Sequence, residues 1–197
     1  MKDYYWEIET ERLRLTSWQD TEEDAKGLYS WASNPNVGPN AGWKPHASLE
    51  ESKKILREMF IPGGDGYAIR EKDTGEIIGN ISLYDDTARE GVRSMELGYA
   101  LKEECWGKGY MTEAAKALMK YGFEKYDLAI MAIRTSEVNH RSQRVIEKCG
   151  FVYEGTLRRA YRIYDGSLRE TRVYSMLREE YESGASTAGA GEAKSGD

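Results

Sequence analysis

The chain has 197 residues, which predicts one domain or at most two small ones, and its 40% hydrophobic content excludes a mostly disordered chain. No apolar run approaches the roughly 20 residues that a membrane-spanning helix needs. Lys and Arg number 28 against 34 Asp and Glu, so the net charge of −6 argues against sequence-independent binding to nucleic acid and tolerates a cationic substrate.

The composition changes near the C-terminus. The segment 183–197 contains eleven Gly, Ala or Ser residues and no large apolar side chain, so it buries too little surface to offset its ordering entropy. We therefore predict a single domain over residues 1–182 and a disordered tail over 183–197. No secretory signal is visible at the N-terminus, so we expect a cytoplasmic protein in which Cys105 and Cys149 are reduced thiols.

In the first half of the chain, alternating apolar residues predict strands, and apolar residues at helical spacing predict helices. The second helix begins at a capping box formed by Ser48 and Glu51. The predicted elements are a strand at Arg12–Thr16, a helix at Thr21–Ala32, a loop at Asn34–Pro45, a helix from Ser48 to about Phe60, and strands at Tyr67–Glu71, Ile77–Tyr84 and Ser94–Leu101.

From Tyr110 the apolar period changes from two residues to 3.6, which predicts a long helix with one buried stripe. The remaining predicted elements are a helix at Tyr110–Lys125, a strand at Ile130–Ser136, a helix at Arg141–Cys149, and strands at Phe151–Leu157 and Arg172–Leu177 around a turn at Tyr164–Ser167. The order of these elements predicts an α+β fold, with a mostly antiparallel sheet and helices packed against it.

Two segments could carry chemistry. The segment Trp106–Thr112 lies between a strand and a long helix, and its two glycines would let the backbone approach a pyrophosphate at the helix start. The same residues are equally compatible with a plain strand-to-helix turn. Asn139, before the next helix, could cap that helix or present its amide to an extended polar ligand.

Together these segments resemble the GNAT acetyltransferase superfamily, in particular its branch of ribosomal-protein N-terminal acetyltransferases. The resemblance covers about Glu9–Tyr181. It is carried by Glu96–Leu101, Trp106–Ala114, Asn139 with Ser142, Glu147–Phe151, Glu154–Gly155 and Tyr164–Gly166, in this order. It implies the GNAT fold, with a mostly antiparallel mixed sheet of six to seven strands and about four helices on both faces. It also implies acetyl-CoA as acetyl donor.

The resemblance further implies how the coenzyme is held. Backbone amides of the glycine turn would bind its pyrophosphate, the last strand residues before the turn would run beside the pantetheine arm, and an N–H near Leu101 would bond the thioester carbonyl. Trp106 and Met111 depart from the residues usual in the family, at positions where backbone amides do the work. The implied coenzyme-binding residues are Tyr99, Ala100, Leu101, Trp106, Gly107, Lys108, Gly109, Tyr110, Met111, Thr112, Asn139 and Ser142.

By the same resemblance, Ser142 is the general acid toward the leaving thiolate. The Tyr that serves many other members one turn later is replaced here by Ile146, and the Glu described as base in this branch is replaced by Tyr161. Glu96, on the strand beside the expected thioester, is the alternative base; it could equally be a structural carboxylate. The loop Gly42–His46 could line the acceptor site or pack its Trp against the sheet.

The expected function is direct transfer of acetyl from acetyl-CoA to a primary amine in a ternary complex, preferably to a protein N-terminal α-amine. A small amine, such as a polyamine, amino sugar or antibiotic, is the alternative acceptor. A non-catalytic module that binds acetyl-CoA is a third interpretation. We expect no metal site, because no HExxH motif or Cys/His spacing is present, and no nucleic-acid or membrane partner. The protein would be a monomer or homodimer.

Overall fold

Eight strands form one mixed sheet in the computed structural model of the chain, which describes residues 7–63 and 66–184. Their order in the sheet is β1-β2-β3-β4-β5-β6-β8-β7, and every neighbouring pair is antiparallel except β5 and β6. The strands are β1 (Glu7–Glu9), β2 (Leu13–Ser17), β3 (Gly66–Glu71), β4 (Ile77–Asp85), β5 (Ser94–Leu101), β6 (Ile130–Ser136), β7 (Val152–Arg162) and β8 (Leu168–Leu177).

Three of the helices in the described residues begin at a side chain that caps the helix N-terminus. The Thr21 hydroxyl accepts a hydrogen bond from the Asp24 N–H (3.1 Å), and the Ser48 hydroxyl accepts one from the Glu51 N–H (3.1 Å). The helices are α1 (Glu22–Ala32), α2 (Gly38–Ala41), α3 (Leu49–Ile55), α4 (Tyr110–Tyr126) and α5 (His140–Lys148); a π-helical turn, Leu56–Phe60, continues α3, and a 3₁₀ turn, Glu103–Cys105, precedes α4.

The apolar residues form two clusters, one on each face of the sheet. The larger cluster packs the α4 stripe, including Leu118 and Phe123, against inward-facing strand residues such as Ile81. The smaller cluster packs α1, through Leu28 and Trp31, against the opposite face. Full burial of such side chains stabilises the fold by about 1.5–3 kcal/mol each, so both faces of the sheet are fixed by cores and the strand ends are held rigidly.

The α+β class and the mixed sheet agree with the sequence prediction, but the predicted numbers of strands and helices were too low. The additional strand is β1, whose three residues are too few to show an alternation and which is held by pairing with β2. The short helix α2 lies inside the predicted loop, with Pro39 in its first turn. Residues 178–184 are also helical.

Strands β7 and β8 are longer than predicted, since two register shifts in β7 interrupt the alternation on which the prediction depended. The single domain over 1–182 stays a prediction. Residues 183 and 184 belong to the last helical segment, and the rest of the predicted tail lies outside the described residues.

Candidate active site

The sheet opens between β5 and β6. These parallel strands pair only as far as Leu97 with Ile133. Beyond that point β5 stays paired with β4 as far as Leu101, whereas β6 stays paired with β8 as far as Ser136. The two strands therefore diverge, and the end of β5 borders an opening instead of a neighbouring strand.

The opening is lined by backbone donors. The Lys102 N–H donates to the Ile78 carbonyl of β4 (2.7 Å). Because antiparallel residues alternate between facing one neighbouring strand and the other, the N–H groups of Tyr99 and Leu101 point away from β4 and into the opening. The Leu101 carbonyl points the same way, since it accepts a hydrogen bond from Trp106 Nε1 (2.8 Å). The opening thus offers two N–H groups to a ligand.

A cavity of about 370 Å³ extends from this opening to the N-terminus of α4, and we call it the donor cavity. It is lined by all but one of the residues that the resemblance assigned to the coenzyme. Those lining residues are Tyr99, Ala100, Leu101, Trp106, Gly107, Gly109, Tyr110, Met111, Thr112, Asn139 and Ser142. The exception is Lys108, whose carbonyl accepts a hydrogen bond from Arg12 Nη1 (3.0 Å). The sequence motifs therefore meet at one cavity.

The glycine turn at the far end of the donor cavity needs its two glycines. Gly107 and Gly109 have φ values of 75° and 84°, in the left-handed region that other L-residues rarely adopt. Gly109 is the N-cap residue of α4, and no side chain caps the helix there. The first N–H groups of α4 and the positive end of its dipole therefore lie at the cavity wall, free of a side-chain acceptor.

Arg12, which was predicted only as part of a strand, supports the glycine turn from outside the donor cavity. Its guanidinium donates to Glu113 (Nε–Oε2, 2.7 Å) as well as to the Lys108 carbonyl, and it stacks over the Tyr110 ring at 4.5 Å. Although burial opposes its charge, hydrogen bonds from Thr10 and Arg12 hold the pKa of Glu113 below its usual value. The turn is thus tied to the start of β2 through an ionised pair.

Asn139, Ser142 and Tyr99 meet where the donor cavity reaches the opening. Asn139 caps α5, because its Oδ1 accepts a hydrogen bond from the Ser142 N–H (3.2 Å). The Tyr99 hydroxyl lies 3.0 Å from Ser142 Oγ and 3.3 Å from the Ser142 carbonyl oxygen. Burial raises the pKa of Tyr99 well above its usual value, so this hydroxyl stays protonated. Ile146, one turn after Ser142, is fully buried in the core.

The sequence analysis also missed a basic face on α5. Arg141, Arg144 and Lys148 line the donor cavity, and the Arg141 guanidinium stacks over the Trp106 ring at 4.6 Å. Their spacing of three and four residues places them on one side of the helix, a signal that was available in the sequence. The donor cavity therefore combines backbone donors with cationic side chains, a combination that suits an anionic ligand.

A second cavity of about 480 Å³ adjoins the first, and we call it the acceptor cavity. The two share Asn40, Ala41, Tyr99, Asn139 and Ser142. The remaining walls of the acceptor cavity come from the loop after α2, from β4, β5 and β6, and from the β7–β8 hairpin. Residues from distant parts of the sequence thus enclose a space that meets the donor cavity beside Ser142.

Glu96 lines the acceptor cavity, on the side of β5 opposite to the core residue Leu97. Its carboxylate is bound by Arg134 of β6, through Nε at 2.8 Å and through Nη2. The hydrogen bonds that Arg134 donates to Glu96 raise the pKa of Arg134, which stays charged. The other carboxylate oxygen of Glu96, Oε1, has no hydrogen-bond partner within the described residues. Glu96 is therefore held by an ion pair with Arg134 and also lines the acceptor cavity beside the opening.

Tyr161 and part of the loop Gly42–His46 form the outer wall of the acceptor cavity. A Cβ at Gly42, which has a φ of 99°, would overlap the Tyr161 ring, so the glycine permits this contact. Trp43 borders the cavity while also packing edge-on against Trp31 at 6.2 Å. His46 lies outside the cavity, because it is buried with its Nδ1 2.8 Å from the Ser52 hydroxyl.

The comparison with protein families decides the identity of the fold. Residues 12–152 match the family model described as the acetyltransferase (GNAT) domain. The chain belongs to the GNAT acetyltransferase family. It is therefore an acyltransferase of a family whose acetyl donor is acetyl-CoA, and all the residues that line the donor cavity lie within the matched range.

Individual relatives agree with this assignment. The chain is 29% identical over 175 residues to "Uncharacterized N-acetyltransferase YoaA" of Bacillus subtilis (strain 168), covering 87% of this chain and 96% of that protein. It is 34% identical over 147 residues to "Putative ribosomal N-acetyltransferase YdaF" of the same organism, covering 71% and 79%. A GNAT-family acetyltransferase structure from Bacillus anthracis superposes with a TM-score of 0.77 at 22% identity, covering 89% and 100%, which shows the fold.

Both cysteines are free thiols and buried. Burial raises the pKa of Cys149 to about 11, and burial also raises the pKa of Cys105. A raised pKa favours the protonated thiol, which is a poor nucleophile. Among the described residues, no helix has the length and apolar character to cross a membrane.

Proposed function

We propose that this chain transfers the acetyl group of acetyl-CoA directly to a primary amine, with the α-amine of a polypeptide N-terminus as preferred acceptor. The observation that carries this proposal is the junction of two cavities at the opening between β5 and β6, beside Tyr99 and Ser142. One cavity would receive the donor and the other the acceptor, so both would meet without a covalent enzyme intermediate.

The donor cavity fits the coenzyme by its chemistry. The N–H groups at the start of α4 and the glycine turn would bind the pyrophosphate, as helix N-termini commonly bind phosphates. Arg141, Arg144 and Lys148 would neutralise the remaining phosphate charge. The side-chain NH₂ of Asn139, whose Oδ1 is used in capping, would bond the coenzyme arm.

At the opening, the residues of the chain would stabilise the transfer. When bound, acetyl-CoA supplies an activated acetyl group; the N–C bond forms as the C–S bond breaks. The N–H groups of Tyr99 and Leu101 would stabilise the negative charge that develops on the thioester oxygen, a contribution of roughly 2.7–4 kcal/mol for one well-placed donor. Ser142 would donate its hydroxyl proton to the departing thiolate and regain a proton from solvent, with Tyr99 holding Ser142 in place.

The acceptor must lose a proton, and an α-amine loses it more readily than a lysine. In unstructured peptides the pKa is about 8 for an α-amine and about 10.4 for a lysine side chain. The free Oε1 of Glu96 would take the proton directly or through water, while Arg134 holds the other oxygen of that carboxylate. Tyr161 forms a wall of the acceptor cavity and would not replace the Glu of the resembled branch as base.

The name of the relative YdaF refers to a ribosomal acetyltransferase, which supports a polypeptide acceptor here. A base that is already engaged by Arg134 also favours an α-amine over lysine or a polyamine, because the α-amine needs less help to lose its proton. We place the protein in the cytoplasm, where such acceptors and acetyl-CoA occur together.

The proposal is tested by measuring thiol release from acetyl-CoA together with the intact mass of the acceptor. The acceptors are a peptide with a free α-amine, the same peptide with its N-terminus blocked and one free lysine, a polyamine and an amino sugar. We expect acetylation of the free α-amine. Acetylation of small amines alone would contradict the polypeptide acceptor, and coenzyme binding without thiol release toward any amine would contradict catalysis.

A further inference from the structure

The β7–β8 hairpin beside the acceptor cavity is positively charged, whereas the chain as a whole is negatively charged. Residues 157–172, which form the β7–β8 hairpin around its turn, contain five arginines and only two acidic residues, in a chain whose net charge is −6. The arginines of this hairpin are Arg158, Arg159, Arg162, Arg169 and Arg172. The hairpin is therefore a local concentration of positive charge beside the acceptor cavity.

A bulge in this hairpin borders the acceptor cavity. Leu157 pairs with Thr171 and Tyr161 pairs with Arg169, so residues 158–160 face a single residue of β8. Arg159, inside the bulge, has a φ of 50°, a left-handed conformation that is uncommon outside glycine. Leu157, Ala160 and Tyr161, which flank or belong to the bulge, line the acceptor cavity. Bulges of this kind bend a strand and re-aim its side chains.

Four of these five arginines make no ion pair within the described residues. Arg158 and Arg159 are exposed and have no ion pair within the described residues. Arg162 donates to the Gly166 carbonyl (3.1 Å) and Arg169 to the Pro39 carbonyl (2.8 Å), so neither of these hydrogen bonds meets a carboxylate. Arg172 differs, because its Nη2 lies 3.7 Å from Glu137.

The charged residues that line the acceptor cavity also carry a net positive charge. Arg134 and Arg169 line it, and Glu96 is the one carboxylate among the described residues of its lining. Because Glu96 is bound by Arg134, Arg169 adds a positive charge whose hydrogen bond goes to a neutral carbonyl. A polyamine, which carries several positive charges, would be repelled at both the hairpin and the cavity wall.

We propose that the preferred acceptor is an acidic polypeptide N-terminus, with carboxylates in the residues that follow the reacting α-amine. Arg169 at the cavity wall and Arg158, Arg159 and Arg162 on the hairpin would bind those carboxylates and hold the N-terminus in the acceptor cavity. This inference depends on the proposed function and adds the class of sequence that the site selects. It goes beyond the expectation, drawn from net charge alone, that a cationic substrate is tolerated.

The test uses three peptides that share the same first residue, with acidic, neutral or basic residues at positions two to five. We expect kcat/KM for acetyl transfer to be highest for the acidic peptide and lowest for the basic one, with about a tenfold difference per step at low salt. The differences should shrink as the ionic strength rises, because exposed charges are screened.

The variant Arg158→Glu supplies the second measurement. Its side chain is exposed and makes no described contact, so the fold should be retained, which circular dichroism would check. We expect the preference for the acidic over the basic peptide to fall about tenfold. Lys120→Glu, an exposed position on α4 outside both cavities, makes the same change in net charge and should leave the preference unchanged.

The outcomes separate this inference from the proposed function. Equal kcat/KM on the three peptides, or a preference that Arg158→Glu and Lys120→Glu reduce alike, would overturn the acidic acceptor while leaving polypeptide acetylation intact. Acetylation of none of the peptides, with thiol release toward a small amine, would overturn the proposed function instead. Binding of a labelled single-stranded RNA that Arg158→Glu abolishes would assign the hairpin to nucleic acid and overturn the inference.

Discussion

The donor and acceptor cavities share one junction but are built in different ways. The donor cavity is lined by the end of β5, the glycine turn and the start of α4, which are close together in sequence and offer backbone N–H groups, and by cationic side chains of α5. The acceptor cavity is formed by side chains from the loop after α2, from three strands and from the β7–β8 hairpin. A site made of backbone tolerates changes of side chain, whereas a site made of side chains can change its ligand one residue at a time.

This difference explains why Trp106 and Met111 can depart from the family's usual residues while the donor site keeps its form. Both residues line the donor cavity, and the turn around them is set by the φ angles of Gly107 and Gly109. The acceptor side, by contrast, differs from the resembled branch at Tyr161, where a wall residue stands in place of a base. Substrate choice would therefore be set on the acceptor side.

The largest effect is expected at the junction. Ser142→Ala should lower kcat about 100-fold, the lower range for loss of a general acid, with little change in coenzyme affinity. Tyr99→Phe should lower kcat less, because it removes only the hydroxyl that holds Ser142. Steady-state kinetics and calorimetry with acetyl-CoA would measure the two parameters separately. Unchanged turnover in Ser142→Ala would exclude this residue from proton transfer.

The backbone character of the donor site is tested by a matched pair of glycine variants. Gly107 and Gly75 have similar φ values, 75° and 73°, and open space at the position of a Cβ. A valine at either should cost roughly 1–2 kcal/mol in strain, but only Gly107→Val should weaken acetyl-CoA binding, by roughly tenfold. Calorimetry and thermal unfolding would compare them. Equal coenzyme affinity in the two variants would contradict a backbone-built site.

A smaller effect on coenzyme binding is expected when the support that Arg12 gives to the glycine turn is removed. Arg12→Gln removes the charged donor to the Lys108 carbonyl and to Glu113 without touching either cavity. We expect the KM for acetyl-CoA to rise about fivefold, corresponding to about 1 kcal/mol, with kcat nearly unchanged. Arg14→Gln, two residues further along the chain in β2 and 3.8 Å from Glu7, is the control. A change in kcat, or in the KM for the amine, would show that Arg12 acts elsewhere.

The smallest effect concerns the support of the acceptor loop. Burial lowers the pKa of His46 below 6.5, so the folded chain holds it neutral while the unfolded chain takes up a proton first as the pH falls. This contribution to stability is complete above pH 6.5 and declines as the pH falls below it. The Tm measured between about pH 7.5 and about pH 5.5 should depend less on pH in His46→Gln than in the parent chain. An identical pH dependence of the Tm in the two chains would show that His46 does not contribute to the pH dependence of stability.

The residues that the sequence assigned to the coenzyme lie close together for a physical reason. Strand alternation, the glycine turn and the α4 stripe are local patterns, and the structure places eleven of the twelve implied coenzyme residues around one cavity. Arg12 and the basic face of α5 were missed, although the spacing of Arg141, Arg144 and Lys148 was visible. The role of Arg12 depends on a contact with Glu113, about one hundred residues away, which no local pattern reveals.

The arrangement of the acceptor cavity could not be predicted from local sequence patterns. The pairing of Glu96 with Arg134 requires β5 and β6 to be neighbours, and the contact of Tyr161 with Gly42 requires the hairpin to fold back over the loop after α2. Strand β1 and helix α2 were missed because both are too short to show a periodicity. Long-range pairing therefore determines the shape of the acceptor cavity.

The central claim is that the opening between β5 and β6 receives the thioester, and a crystal structure with a non-reactive thioether analogue of acetyl-CoA tests it most directly. We predict that the diphosphate contacts the backbone amides at the start of α4, that the carbonyl oxygen accepts a hydrogen bond from the Tyr99 or Leu101 N–H, and that the sulfur lies beside Ser142. An analogue bound elsewhere, or bound in the cavity with both amides unengaged, would contradict the account.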